Sequence, residues 1–122
     1  MVIVLLFTLL FIKHFIFDFP FQTTSELEHK GTFGDPRGML HSYKHMVGTI
    51  VVFAFFTPYC ALYATGDFVS HYLIDLSKMK ASKGLTPADK KFWNYLGFDQ
   101  LLHNLVYALM VLIYIHFKKK GL

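Results

Sequence analysis

The chain has 122 residues, 54% hydrophobic and 18% aromatic, with 12 Lys and Arg against 8 Asp and Glu for a formal charge of +4. Its apolar content and positive mean hydropathy exceed those of an ordinary small soluble domain and point to an integral membrane protein. The single cysteine excludes an intramolecular disulfide, and basic residues flanking apolar segments fit anionic lipid rather than nucleic acid.

The first predicted helix, about residues 1–19, is apolar up to Lys13. With no basic residue near Met1 and no small-residue cleavage site, it reads as an anchor rather than a removable signal peptide. Residues 20–38 carry Thr23, Thr24, Ser25, Gly31, Gly34, Asp35 and Pro36, a loop composition with room for a short interfacial helix around residues 25–30. A second helix, about 39–56, ends before Pro58, and a third, about 59–79, carries Asp67, Ser70, His71 and Asp75. Those polar groups are costly against lipid and tolerable inside a bundle. The basic segment 80–95 contains Thr86-Pro87, which reads as a helix cap followed by the first helical position. A fourth helix covers about 98–117, and each of the four is long enough to cross a hydrocarbon core of roughly 30 Å with some tilt. The expected fold is all-α: a single domain over 1–122, a four-helix transmembrane bundle running up, down, up, down.

Four residue pairs share one spacing: His14/Asp18, His41/His45, His71/Asp75 and Asp99/His103. Residues four apart lie on one helix face, so each pair presents two ligand atoms in one direction. In alternating helices the ends of the first and third meet the starts of the second and fourth, and the pairs fall at those ends. His14, His45, His71 and His103 each sit about 12–14 residues from the opposite end, roughly 18–21 Å at 1.5 Å per residue. All eight side chains therefore belong to one layer, toward one leaflet.

Five imidazoles and three carboxylates exceed the needs of one tetrahedral ion, so two divalent ions are expected, with zinc, iron and manganese all compatible. Paired ions can polarise a phosphoryl or carbonyl oxygen and activate water. Asp67 or Asp75 is the expected proton relay, and Lys44 or Lys78 the group that steadies substrate charge. Gln22 and Tyr107 extend the same helix faces, while His29 and His116 fall outside the layer, and Asp99 could instead cap its helix.

The ordered motifs His14-x3-Asp18, His41-x3-His45, His71-x3-Asp75-x2-Lys78 and Asp99-Gln100-x2-His103 resemble a family of small bacterial and phage membrane proteins of unknown function. More loosely, the placement of His and Asp at the ends of short membrane helices is similar to the inner-membrane metal-dependent hydrolases. That similarity implies a hydrolytic two-metal site in a bacterial inner membrane. The expected function is hydrolysis of a lipid-like ester or phosphoester. The alternatives are a di-iron oxidase, hydroxylase or desaturase, a metal or haem carrier, and a non-catalytic structural membrane protein. Expected partners are membrane lipid and an amphiphilic small-molecule substrate, with homo-oligomers allowed. Lys30, Arg37, Lys44, Lys78, Lys80, Lys83, Lys90 and Lys91 on the site side outnumber Lys118, Lys119 and Lys120, which places the site toward the cytoplasm.

Overall fold

A computed structural model describes residues 1–121, so the domain expected over 1–122 is described up to its penultimate residue. Five helices account for the described fold: α1 (Val2–Asp18), α2 (Thr24–His29), α3 (Pro36–Ala54), α4 (Cys60–Ala81) and α5 (Lys90–Lys119). α1 packs between α3 and α5, α4 also packs on both, and α2 lies on α3.

Each long helix buries one stripe at helical spacing. In α1 the stripe is Leu6, Leu10, Lys13 and His14, and in α5 it is Asp99, His103, Tyr107, Met110, Val111 and Tyr114. Along each stripe the chemistry changes from apolar to polar. At one end of the bundle Leu6, Leu10, Phe53, Tyr63, Tyr107, Met110 and Val111 form the core, with the Phe53 and Tyr63 rings stacked 4.1 Å apart. At the other end the buried residues include His14, Lys30, His41, His45, His71, Asp75, Asp99 and His103. The outward faces remain apolar: Phe11, Phe15, Val51, Leu62, Leu73, Leu105, Leu109 and Leu112 are all exposed. A polar interior inside an apolar exterior reverses the usual arrangement of a water-soluble bundle.

Among the described residues α5 alone combines the length and apolarity needed to cross a membrane; its 30 residues extend about 45 Å. α1 has 17 residues, and the polar stripes of α3 and α4 lower their hydropathy.

Helix ends depart from expectation where capping chemistry overrides hydropathy. α3 starts at Pro36 rather than near Met39, because the Asp35 carboxylate accepts from the Arg37 amide at 2.9 Å and Pro36 takes the first helical position. The Arg37 guanidinium and amide hold the Asp35 carboxyl at a pKa of about 2. α5 starts at Lys90 rather than near Phe98, so Asp99 lies in the helix interior and does not cap it. Thr86 caps no helix. Its amide and hydroxyl both donate to Asp89 Oδ2, at 2.8 and 3.0 Å, which closes a turn ahead of α5. The short helix expected around 25–30 is α2, opened by a capping box in which Thr23 and Glu26 exchange hydrogen bonds.

Two glycines of α3 set how closely its neighbours approach. A Cβ at Gly48 would stand 2.5 Å from Phe17 Cε2 and 2.7 Å from Lys13 Cγ, on α1. One at Gly38 would stand 2.6 Å from the His29 carbonyl oxygen, so the α2 backbone lies directly against this position.

Candidate metal centre

The four spaced pairs meet. Asp18 Oδ1 lies 3.2 Å from His41 Nε2, 3.0 Å from His45 Nε2 and 3.6 Å from His71 Nε2, while the His41 and His71 Nε2 atoms are 3.2 Å apart. Four donors arranged tetrahedrally around an ion at about 2.05 Å stand about 3.3 Å from one another. The observed separations bracket that value.

A second set adjoins the first. His103 Nε2 lies 3.4 Å from Asp75 Oδ1 and 3.6 Å from Asp99 Oδ1. The other Asp75 oxygen, Oδ2, faces back to His41 Nε2 at 3.4 Å and His71 Nε2 at 3.6 Å. Asp75 thus directs one oxygen into each set. The two sets, Asp18/His41/His45/His71 and Asp75/Asp99/His103, each gather ligand atoms within 4.8 Å of one another. The first offers four donors and the second three, leaving room in the second for a water or substrate atom.

Burial gives an independent test of fit. Asp18 Oδ1, His45 Nε2 and Asp99 Oδ1 are buried and have no hydrogen-bond partner among the described residues, although charged or polar neighbours stand within 4 Å, while Asp75 Oδ2 meets the Lys30 ammonium at 3.2 Å. These atoms belong to the two ligand sets, and a cation held within each set would satisfy atoms that are otherwise costly to bury. Among the described residues His41, His45 and His71 have no protein partner for Nδ1, the atom from which a ligating imidazole usually makes its second hydrogen bond.

His14 is engaged on both ring nitrogens: Nδ1 is 3.0 Å from the Tyr107 hydroxyl, and Nε2 is 3.0 Å from both Gln100 Oε1 and Asp18 Oδ2. It also groups with His71 and His103 at ligand distance. Gln100 Nε2 donates to Asp18 Oδ2 and Asp99 Oδ2, at 3.1 and 3.2 Å, tying α1 to α5.

The remaining candidates separate. Asp67 lies next to the histidine layer and pairs with Lys13, Oδ2 to Nζ at 2.6 Å, while Thr49 donates to the same oxygen at 2.5 Å. Lys44 Nζ pairs with Glu26 Oε1 at 2.6 Å and donates to the Phe21 carbonyl at 3.0 Å, fastening α2 to α3. Lys78 is half-buried and lines a cavity of about 150 Å³ with Tyr95, Phe98 and Asp99. Gln22 donates to the Asp18 carbonyl oxygen at 3.0 Å and closes the end of α1.

Two buried lysines escaped the spacing argument. Lys13 is 5% exposed, with Nζ 2.6 Å from Asp67 and 4.8 Å from the Tyr107 ring centre. A lone lysine inside an apolar segment is itself a signal for a buried acidic partner. Lys30 is also 5% exposed and places Nζ 3.2 Å from Asp75 Oδ2. It caps the C-terminus of α2, at the end of the short helix expected around 25–30, where no four-residue spacing to another candidate marks it.

The Glu26–Lys44 pair makes docking of α2 sensitive to pH. Burial opposes the charge on Glu26, but the Lys44 ammonium and the Thr23 donors outweigh it and hold the carboxyl below its usual range. A depressed folded-state pKa gives stability that is present above the ordinary value of about 4.3 and is lost as pH falls through the folded-state value. Hydrogen exchange across α2 is expected to rise on acidification below about pH 4.3 in the parent and to lose that pH dependence in Glu26→Gln.

Comparison with known proteins yields a family relationship without an activity. The family described as "Protein of unknown function (DUF3307)" matches residues 6–121. No curated protein and no solved structure matches the chain.

Proposed function

The chain belongs to the DUF3307 family of unknown function, and from its geometry we propose that it is a membrane-embedded two-metal hydrolase acting on a lipid-like ester or phosphoester. The observation that carries this reading is the set of ligand atoms on Asp18, His41, His45 and His71, whose separations from Asp18 Oδ1 and between His41 and His71 match the edges of a tetrahedral site, joined through Asp75 to an open set of three. The exposed apolar faces of all four long helices support four membrane crossings, with α5 the strongest span. The excess of basic residues at the ligand end supports a site facing the cytoplasm of a bacterial inner membrane.

Two divalent ions, zinc, iron or manganese, bound there would supply water acidic enough to attack near neutral pH, with positive charge beside the bond that breaks. The chain supplies the rest. Asp18 and Asp75 hold the two ligand sets in register, because each carboxylate reaches side chains from more than one helix. Asp99 lines the cavity shared with Lys78 and brings the open ligand set to its wall, where a substrate can reach it. Lys78, on the wall of that cavity, adds positive charge at its mouth. Asp67 and Lys44 are spent on Lys13 and Glu26, and support the scaffold. A second groove, about 230 Å³ between α1 and α5, is lined by Phe11, Phe15, Phe19, His14, Gln100 and Asn104 and leads from the apolar exterior to the cluster. That geometry suits an amphiphilic substrate. A porphyrin is a poor fit among these ligands, since the His45 and His71 rings stack 3.6 Å apart and the His71 and His103 rings 4.1 Å apart.

Elemental analysis of the detergent-purified protein tests the reading. About two zinc or manganese ions per chain are expected, with hydrolysis of a lipid-ester or phosphoester panel that stops on chelation. Two irons with oxygen-dependent turnover would transfer the same ligands to an oxidase, and a metal-free protein after growth in metal-replete medium would refute a metal enzyme.

A further inference from the structure

We propose that Lys30 binds the anionic oxygen of the substrate at the metal centre, and that the substrate is a phosphoester rather than a carboxylic ester; this rests on the two-metal reading. Lys30 follows α2, and several contacts fix where it can go. The Thr23–Glu26 capping box shapes α2, and Glu26–Lys44 docks it on α3. The Gly34 amide donates to the Tyr72 hydroxyl at 2.7 Å, tying the next turn to α4. Any Cβ at Gly38 would stand 2.8 Å from the Lys30 Cα, so α3 lies directly against the Lys30 backbone. The side chain that results is 5% exposed and directed into the ligand cluster.

An ammonium has three donors. Among the described residues Lys30 Nζ has a single acidic partner, Asp75 Oδ2 at 3.2 Å, so donors remain for a further acceptor. Charge identifies that acceptor. Four carboxylates (Asp18, Asp67, Asp75 and Asp99) and two ammoniums (Lys13 and Lys30) leave two negative charges when the imidazoles are neutral, as ligation requires. Two divalent ions turn this into two positive charges in a site with little access to water. A phosphomonoester dianion cancels them, as does a phosphodiester anion together with hydroxide. A neutral carboxylic ester leaves two positive charges unmet with water and one with hydroxide, and buried charge without a partner is strongly disfavoured. In the reaction the oxygen of water bonds to phosphorus, the bond from phosphorus to the alcohol oxygen breaks, and that oxygen departs with a proton from the water. Lys30 donates to a non-bridging phosphoryl oxygen throughout, a charge-assisted bond that strengthens as negative charge builds there.

Binding of orthophosphate to the metal-loaded protein in detergent, followed by calorimetry with metal content measured in parallel, separates the outcomes. Lys30→Gln is expected to keep its metal and to bind phosphate about tenfold more weakly, Lys30→Arg to retain most of the affinity, and acetate not to compete. Unchanged phosphate affinity in Lys30→Gln overturns the proposal. So does a loss of metal in Lys30→Gln that matches the loss of phosphate affinity, because Lys30 would then serve only to hold Asp75. A parent that binds metal but no phosphate overturns the phosphoester assignment and leaves the two-metal reading standing, whereas a metal-free parent removes both.

Discussion

Asp75→Ala is expected to reduce bound metal from about two ions per chain to fewer than one, whereas Asp99→Ala loses only one. Asp75 alone sends its two oxygens to different ligand sets, Oδ1 to His103 and Oδ2 to His41 and His71, so its removal strips a donor from the second set and a carboxylate charge that faces the four donors of the first. Asp99 reaches His103 and belongs to the second set alone. The Asp75 substitution also leaves the buried Lys30 ammonium without its carboxylate. Breaking a buried ion pair from one side costs about 3–5 kcal/mol, so the metal-free variant should unfold well below the metal-free parent. Elemental analysis and thermal unfolding, each with and without chelator, measure the two effects separately. Equal metal loss from Asp75→Ala and Asp99→Ala would show that Asp75 does not join the sets.

Removing the lysine of the other buried ion pair should cost a similar amount through a different route. Lys13 Nζ meets Asp67 Oδ2 at 2.6 Å, Thr49 Oγ1 at 3.1 Å and the His45 carbonyl at 3.4 Å, linking α1, α3 and α4 at the level where the core changes from apolar to polar. Lys13→Met strands the Asp67 carboxylate, whose remaining protein donor is Thr49, at an expected cost of about 3–5 kcal/mol. Removing both charges in Lys13→Met/Asp67→Leu should recover most of that loss, because two apolar side chains of similar size bury without a desolvation penalty, and the Thr49 hydroxyl can turn to the carbonyl four residues earlier. Chemical unfolding of the two single variants and the double variant closes the cycle. Additive losses would show that the pair is uncoupled, and Lys13 would then act chiefly through its stem packed against Gly48.

Gln100 shows how far sequence patterning reaches. It stands beside Asp99 in a motif that is visible by inspection, yet its role, bonding Asp18 across 82 residues while accepting from His14, follows only from the approach of α1 and α5. Lys30 carries less local signal still. Its nearest neighbours suggest a loop cation facing solvent, and the Glu26–Lys44 pair together with the glycines of α3 is what turns it inward. The early start of α5 was hidden by composition, since Lys90 and Lys91 look like loop but form an exposed helical turn beyond the apolar span.

The sequence by itself determined the four long helices, the short helix before α3 and the residues of the shared His and Asp layer. Each of these depends on local geometry: a 3.6-residue period places residues four apart on one face, and helix length sets their depth. The tertiary structure decided the division of those side chains into a set of four and a set of three, the position of Asp75 between them, the assignment of Asp67 to Lys13 and Lys44 to Glu26, and the arrival of Lys30 beside Asp75. Such pairings depend on helix rotation and on distances of a few ångströms between segments far apart in the chain, and a linear spacing carries neither.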